Sequence, residues 1–195
     1  MEKIKKLRKL FKTFDLDGYI VPKNNNFFGE YVLTPEDNLK YISNFTGSAG
    51  FAVILKNKNY MFVDGRYTIQ AGIQCGDQFK ICTIPKKYPY NIFKQKNLKL
   101  GFDSKLHTEN SLNGLFRNPF IKLRPINKNL IDLLWKREKN LNIKPFYFIK
   151  DKDAGLKVEQ KLAKLVKLIK LNKANYLFTT ASENVAWLLN IRGKD

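Results

Sequence analysis

The chain has 195 residues and a formal charge of +19, with 44% hydrophobic and 27% charged residues. That balance is globular and excludes a disordered chain, and the length suffices for one well-filled domain and the beginning of another. No run approaches the roughly 18 apolar residues of a membrane span, and the amino end, MEKIKKLRKLFKTF, lacks the apolar block of a signal peptide, so the expected location is the cytosol.

Residues 3–14 place Ile4, Leu7, Leu10, Phe11 and Phe14 at helical spacing between Lys and Arg, which predicts an amphipathic helix. Residues 18–21 are a short apolar run closed by Pro22, as in a buried strand. Between them, Asp15-Leu16-Asp17-Gly18 has the opening carboxylate spacing of a calcium loop without its later ligands, and reads as a helix-to-strand turn. Residues 38–45 read as a short helix, with Thr34-Pro35-Glu36-Asp37 as its start signal. Residues 50–55 and 60–63 look like two strands joined through the polar 56–59 segment, a hairpin. A helix is expected over 66–75, ending near Gly76, then strands over 79–84 and 98–103 separated by a Pro-containing basic loop. A helix over 108–116 follows, then a strand over 120–123 running into Arg124-Pro125. The last element is a helix over 130–138 with Leu134 and Trp135 on its buried side. Strands alternating with helices argue for an α/β domain around a mixed sheet, spanning residues 1–138.

Residues 139–155, polar at the edges and Pro-containing, read as a linker, and residues 156–195 then repeat the start of the chain. KIKKLRKLFK at residues 3–12 lies over KLAKLVKLIK at 161–170, an offset of 158; Tyr19-Ile20-Val21 lies over Tyr176-Leu177-Phe178, an offset of 157. Asn38 to Ile42 matches Asn184 to Leu188, and Asn44 and Gly47 match Asn190 and Gly193, all at 146. The expectation is one complete domain followed by the first third of a duplicate, holding a helix, a strand and the next short helix.

The charge invites a nucleic-acid reading, but 30 of the 36 basic residues are Lys and only 6 are Arg. Recognition of phosphates and bases leans on the planar guanidinium fork. Asn is abundant as well, at 20, and the Lys residues are spread along the chain, which reads as solvated Lys on helix faces. The basic helix over 156–171 could lie on an anionic membrane or fill a calmodulin-type groove, yet it occupies the place of the 3–12 helix, so packing against a sheet is the better account. Cys75 and Cys82 make no disulfide framework or Cys-x-x-Cys pair.

Five segments, in order, are similar to the Xaa-Pro aminopeptidases (aminopeptidase P) of the long, three-domain kind. They are NFTGSAG (44–50), VDGRYTIQA (63–71), NLIDLLW (129–135), AGLKVEQKLAK (154–164) and SENVAWLLNIRG (182–193). The resemblance implies a creatinase/prolidase amino-terminal domain, a mixed sheet flanked by helices, followed by the start of a second copy. In that family a carboxy-terminal catalytic domain holds two divalent metals, usually manganese, on Asp, His and Glu ligands, and cleaves the bond before a penultimate proline. Nothing in this chain corresponds to that domain, and its one histidine, His107, lies in a polar stretch, SKLHTEN, where no metal role is expected.

By resemblance, then, the chain is the non-catalytic amino-terminal part of such an enzyme. It would narrow the active-site entrance to short proline-containing peptides and support a homodimer, and it would be inactive alone. The Gly47-Ser48-Ala49-Gly50 turn lacks the Lys and spacing of a phosphate loop and reads as structural. Asp64 and Arg66 follow a strand and precede a helix, where Asp64 can cap amides and Arg66 can clamp a carbonyl or carboxylate. Alternatively Asp64, Arg66 and Tyr67 face the catalytic domain, a neighbouring subunit or the peptide, since related enzymes lend amino-terminal residues to a neighbour's active site. The competing readings are a stand-alone basic module for nucleic acid, or a decayed gene product.

Overall fold

The computed structural model describes residues 2–29, 31–94, 97–137 and 144–193. They fall into two units, Met1–Glu138 and Lys139–Asp195.

The first unit is an α/β domain. Helix α1 (Glu2–Thr13) buries Ile4, Leu7 and Phe11, one stripe at helical spacing. It ends before Asp15, whose φ of 51° cannot continue a helix. Strand β1 (Gly18–Pro22) follows, buried throughout. Helix α2 (Asn38–Ser43) is capped by Asp37, whose Oδ1 accepts from the Lys40 amide at 2.9 Å. Asp37 also pairs with Lys23, both almost fully buried. Strands β2 (Phe51–Leu55) and β3 (Asn59–Asp64) form the expected hairpin, with Ala52 opposite Met61. Helix α3 (Thr68–Cys75) ends at Gly76, and the sheet continues with β4 (Lys80–Ile84). The loop after β4 contains a short helix, α4 (Pro89–Ile92); β5 (Leu98–Asp103), α5 (Glu109–Phe116) and β6 (Ile121–Ile126) complete the unit.

The six strands run in the order β4-β3-β2-β1-β5-β6. Only β2 opposes the others: it is antiparallel to β1 and β3, whereas β3 with β4, β1 with β5, and β5 with β6 are parallel. Alternation along the strands divides the core between the two faces. Tyr19, Val21, Ala52, Ile54, Met61 and Val63 pack under α1, α2 and α3. Ile20, Val53, Leu55, Tyr60 and Phe62 pack against Phe93, Leu112 and Phe116 on the other. β6 carries Pro125, which an edge strand tolerates because one side of its ladder is unused, so the strand runs on to Ile126 rather than stopping at Leu123.

Residues 130–138 depart from the expected helix. Residues 129–135 form consecutive turns instead, and Glu138 lies outside the described residues. The first amides of the stretch are held by side chains. Asn129 Oδ1 accepts from the Ile131 amide at 2.9 Å, and the Tyr19 hydroxyl accepts from the Leu130 amide at 3.3 Å while donating to Asn129 Oδ1 at 3.4 Å. Leu134 and Trp135 are partly buried, with Trp135 stacked on Tyr41 at 4.6 Å.

In the second unit, part of the segment expected as a linker forms β7 (Tyr147–Phe148) and the single-turn helix α6 (Asp151–Ala154). Helix α7 (Val158–Leu171) and α8 (Ser182–Leu188) follow, and β8 (Ile191–Arg192) pairs antiparallel with β7. Tyr176-Leu177-Phe178, expected as a strand, is not one: these residues are 91%, 55% and 89% exposed. Their counterpart β1 is a strand because β2 and β5 flank it, and the described residues of the second unit supply neither neighbour.

One device is nevertheless repeated. Lys3 Nζ donates to the Tyr41 carbonyl at 3.0 Å and lies 4.4 Å above that ring. In the second unit Lys161 Nζ donates to the Trp187 carbonyl at 2.6 Å and lies 4.2 Å above its ring. Asn44 and Asn190, three residues beyond each aromatic, both take left-handed backbone, at φ 63° and 50°.

Replacing Tyr19 by Phe strands the Leu130 amide in a fully buried turn. The expected result is a loss of about 1–3 kcal/mol in urea unfolding, with no change in the denaturant slope.

Candidate functional site

Because five strands point the same way, the ends of β1, β3, β4, β5 and β6 share one edge with the start of β2. Asp64 closes β3 at that edge, and its Oδ1 accepts from the Arg66 amide at 2.9 Å, so the expected helix over 66–75 opens as a single 3-10 turn (Gly65–Tyr67) before α3. The same carboxylate is gripped by the Arg66 side chain, Nε to Oδ1 at 3.1 Å and Nη2 to Oδ2 at 2.7 Å. These hydrogen bonds from Arg66 hold the Asp64 carboxyl below the usual carboxylate range. The pair is exposed, so its fork is a local clamp that orients the guanidinium.

Arg66 lies 5.2 Å from the Tyr67 ring centre, and the Tyr67 hydroxyl meets Ser48 Oγ at 2.7 Å. Asp64, Arg66 and Tyr67 are thus contiguous, and Ser48 joins them to the NFTGSAG turn. Sequence reasoning leaves Ser48 out, because a serine in a glycine-rich turn is no signal without the fold. Gly47 is what admits the turn: a Cβ there would lie 2.3 Å from the Phe45 ring and 2.8 Å from that of Tyr67. Next along α3, Ile69 and Ile73 are 79% and 78% exposed on successive turns of one face, beside Arg66.

His107 stands apart from this patch. Its ring is half-buried edge-on to Phe102 at 5.6 Å, and its Nε2 is the buried unpaired side-chain polar atom among the described residues. Burial pushes its pKa down to about 4. Among the described residues there is no group of three or more His, Cys, Asp or Glu that could hold a metal ion. Cys75 and Cys82 are buried free thiols, Cys75 raised to about 11 by burial. No helix among the described residues is long and apolar enough to cross a membrane.

Comparison with known proteins gives a consistent neighbourhood. Family profiles described as Creatinase/Prolidase N-terminal domain match residues 3–130 and again 137–195. The chain is 33% identical to the probable Xaa-Pro aminopeptidase P of Coprinopsis cinerea, over 97% of this chain and 32% of the relative. It is 30% identical to Xaa-Pro aminopeptidase 1 of Dictyostelium discoideum, over 100% of this chain and 34% of the relative. It also superposes on the crystal structure of X-prolyl aminopeptidase from Caenorhabditis elegans, described as a cytosolic enzyme with a di-nuclear active site. That match has a TM-score of 0.84 and 27% identity, covering 100% of this chain and 35% of the other. The chain spans about a third of the length of the curated relatives it matches.

Two glycines in this region have opposite expected responses. Gly47→Ala drives a methyl into two aromatic rings and lowers stability by about 1–3 kcal/mol, whereas Gly72→Ala on the open face of α3 raises it by about 0.5–1 kcal/mol. Chemical denaturation of both variants checks the pair.

For His107, the folded-state pKa of about 4 lies below the ordinary 6.5, so the unfolded chain binds more protons between those values. Acid therefore favours unfolding. Relative to His107→Leu, the wild type is expected to lose up to about 3 kcal/mol as pH falls from 6.5 to 4, and no more below that, in denaturation at stepped pH.

Proposed function

The chain belongs to the creatinase/prolidase N-terminal domain family, and from that premise we propose that it is the non-catalytic amino-terminal region of a metal-dependent, cytosolic Xaa-Pro aminopeptidase. The observation that carries the reading is the alignment of 97% of this chain to one third of such an enzyme, beginning with one family domain and continuing into a second. In this reading residues 1–138 are the first domain, 139–155 a linker and 156–195 the first third of the duplicate. The metals, taken to be two manganese ions, and the hydrolytic chemistry belong to a carboxy-terminal domain outside this chain. Substrates are short peptides with a penultimate proline, and the full enzyme is a homodimer.

The surface at the end of β3 gives the region its work. The clamped Arg66 presents an oriented guanidinium beside Tyr67, and the exposed Ile69 and Ile73 supply apolar area next to it. A cation held in place beside a small apolar face suits a boundary with the catalytic domain or a neighbouring subunit, and would narrow the approach for peptides. The relatives give no support to the alternative of a stand-alone nucleic-acid module.

The test is twofold. The purified 195-residue chain, supplied with manganese and an Xaa-Pro peptide, is expected to hydrolyse nothing above a no-protein control; genuine turnover overturns the reading. The endogenous protein, identified in cell extract through a tryptic peptide covering Met61, is expected to have an intact mass well above 22.8 kDa, and a mass at that value removes the link to a catalytic domain.

A further inference from the structure

At the same sheet edge a cavity of about 410 Å³ opens between the loop after β1, the end of β5 and the turn after β6. Its position is topologically distinctive. The chain leaves β1 toward β2 on one side, while β5 reaches the other side of β1 from β4 at the far edge. In open α/β sheets, crevices at such reversals of strand order, outside the carboxyl ends of the strands, are where ligands bind.

Three lining side chains are nearly buried: Asn38, Asp103 and Asn129 are 4%, 7% and 8% exposed. Each is held by one polar atom. Asn38 Oδ1 accepts from Arg137 Nη2 at 2.8 Å, Asp103 Oδ1 accepts from the Lys105 amide at 3.0 Å, and Asn129 Oδ1 accepts from the Ile131 amide at 2.9 Å. Because donors face those oxygens, the remaining atoms are assigned: Nδ2 of each asparagine and Oδ2 of Asp103. None of these three atoms has a partner among the described residues, and none is sealed from solvent, His107 Nε2 being the sealed one. Three nearly buried side chains that line one cavity, each with a polar atom open to solvent and free of a protein partner, offer a ligand hydrogen bonds that displace only water. Lys105 and Lys128 line the same cavity without an ion pair among the described residues; of the two other lining carboxylates, Asp132 is paired with Arg137 and Glu36 accepts from Asn25 Nδ2 at 3.2 Å.

We infer that this cavity binds a small zwitterion, an ammonium and a carboxylate carried on one short skeleton, the chemistry of a free α-amino acid. Asp103 Oδ2 receives the ammonium. The Asn38 and Asn129 amide nitrogens donate to the carboxylate, which one of the two lysine ammoniums neutralises. A ligand with a single charge leaves one half of the set unpaired, so the cavity discriminates against it. This site is separate from the Asp64–Arg66 surface and does not depend on the assignment of any hydrolytic activity.

The experiment is calorimetric titration of the full 195-residue chain with L-alanine and L-proline, against acetate and methylammonium as single-charge probes. Saturable binding of at least one amino acid is expected, at least tenfold tighter than either single-charge probe. Asp103→Asn, which keeps the oxygen that receives the Lys105 amide, is expected to weaken it at least tenfold. The double variant Lys105→Gln/Lys128→Gln, two exposed substitutions that leave the thermal midpoint in place, should weaken it severalfold and decides the matter if the Asp103 variant fails to fold. No saturable binding, binding of acetate or methylammonium as tight as that of the amino acids, or indifference to the folded variants overturns the proposal. Since the readout is binding alone, its failure leaves the aminopeptidase reading standing, and the reverse also holds.

Discussion

Everything in the first unit is arranged around β1. The strand is buried on both faces and hydrogen-bonded on both edges, antiparallel to β2 and parallel to β5. At Gly18 a Cβ would lie 2.6 Å from the Leu55 side chain and 2.7 Å from the Ile54 carbonyl, so the close approach of β2 depends on a residue without one. Tyr19 sends its ring into one core, and its hydroxyl reaches the turn after β6, while burial pushes the phenol's pKa up and keeps it neutral. Ile20 turns into the other core. A single strand thus ties together both core layers, both flanking strands and the end of the domain.

Most of this was legible in the sequence wherever period and punctuation agree. The stripe of Ile4, Leu7 and Phe11, the hairpin around residues 56–58 and the start signal before α2 each rest on local chemistry, and each forms where that chemistry points. The failures share a cause. Residues 129–135 carry a helical pattern, but they form turns anchored on Tyr19, 111 residues away from Leu130, whose amide donates to its hydroxyl. Tyr176-Leu177-Phe178 carries a strand pattern, but a strand is a pairing and no neighbour is at hand. Both depend on partners distant in sequence, which no local window contains.

The same distinction applies to the edge surfaces. Asp64, Arg66 and Tyr67 are adjacent in sequence, so their proximity was legible, whereas the bond from Tyr67 to Ser48 spans 19 residues and needed the fold. The cavity beside β5 was invisible, since Asn38, Asp103 and Asn129 are ordinary polar residues until β1, β5 and β6 bring them to one edge. The repeated Lys-aromatic contact lies between these cases. Its residues align in the duplicate, but only the fold shows that Lys3 meets the carbonyl and ring of Tyr41 as Lys161 meets those of Trp187.

The order of pairing around β1 also sets a schedule for synthesis. Gly18 meets Leu55 after 37 further residues but Leu100 only after 82. At translation rates of about 5–20 residues per second, the antiparallel edge can be closed within about 2–7 s, while the parallel edge stays open for about 4–16 s. During that interval the nascent chain carries a three-stranded meander in which β1, buried on both faces in the finished domain, presents a bare edge. The ribosome-bound intermediate, rather than the finished domain, is therefore the species most exposed to mispairing and most in need of chaperone shelter.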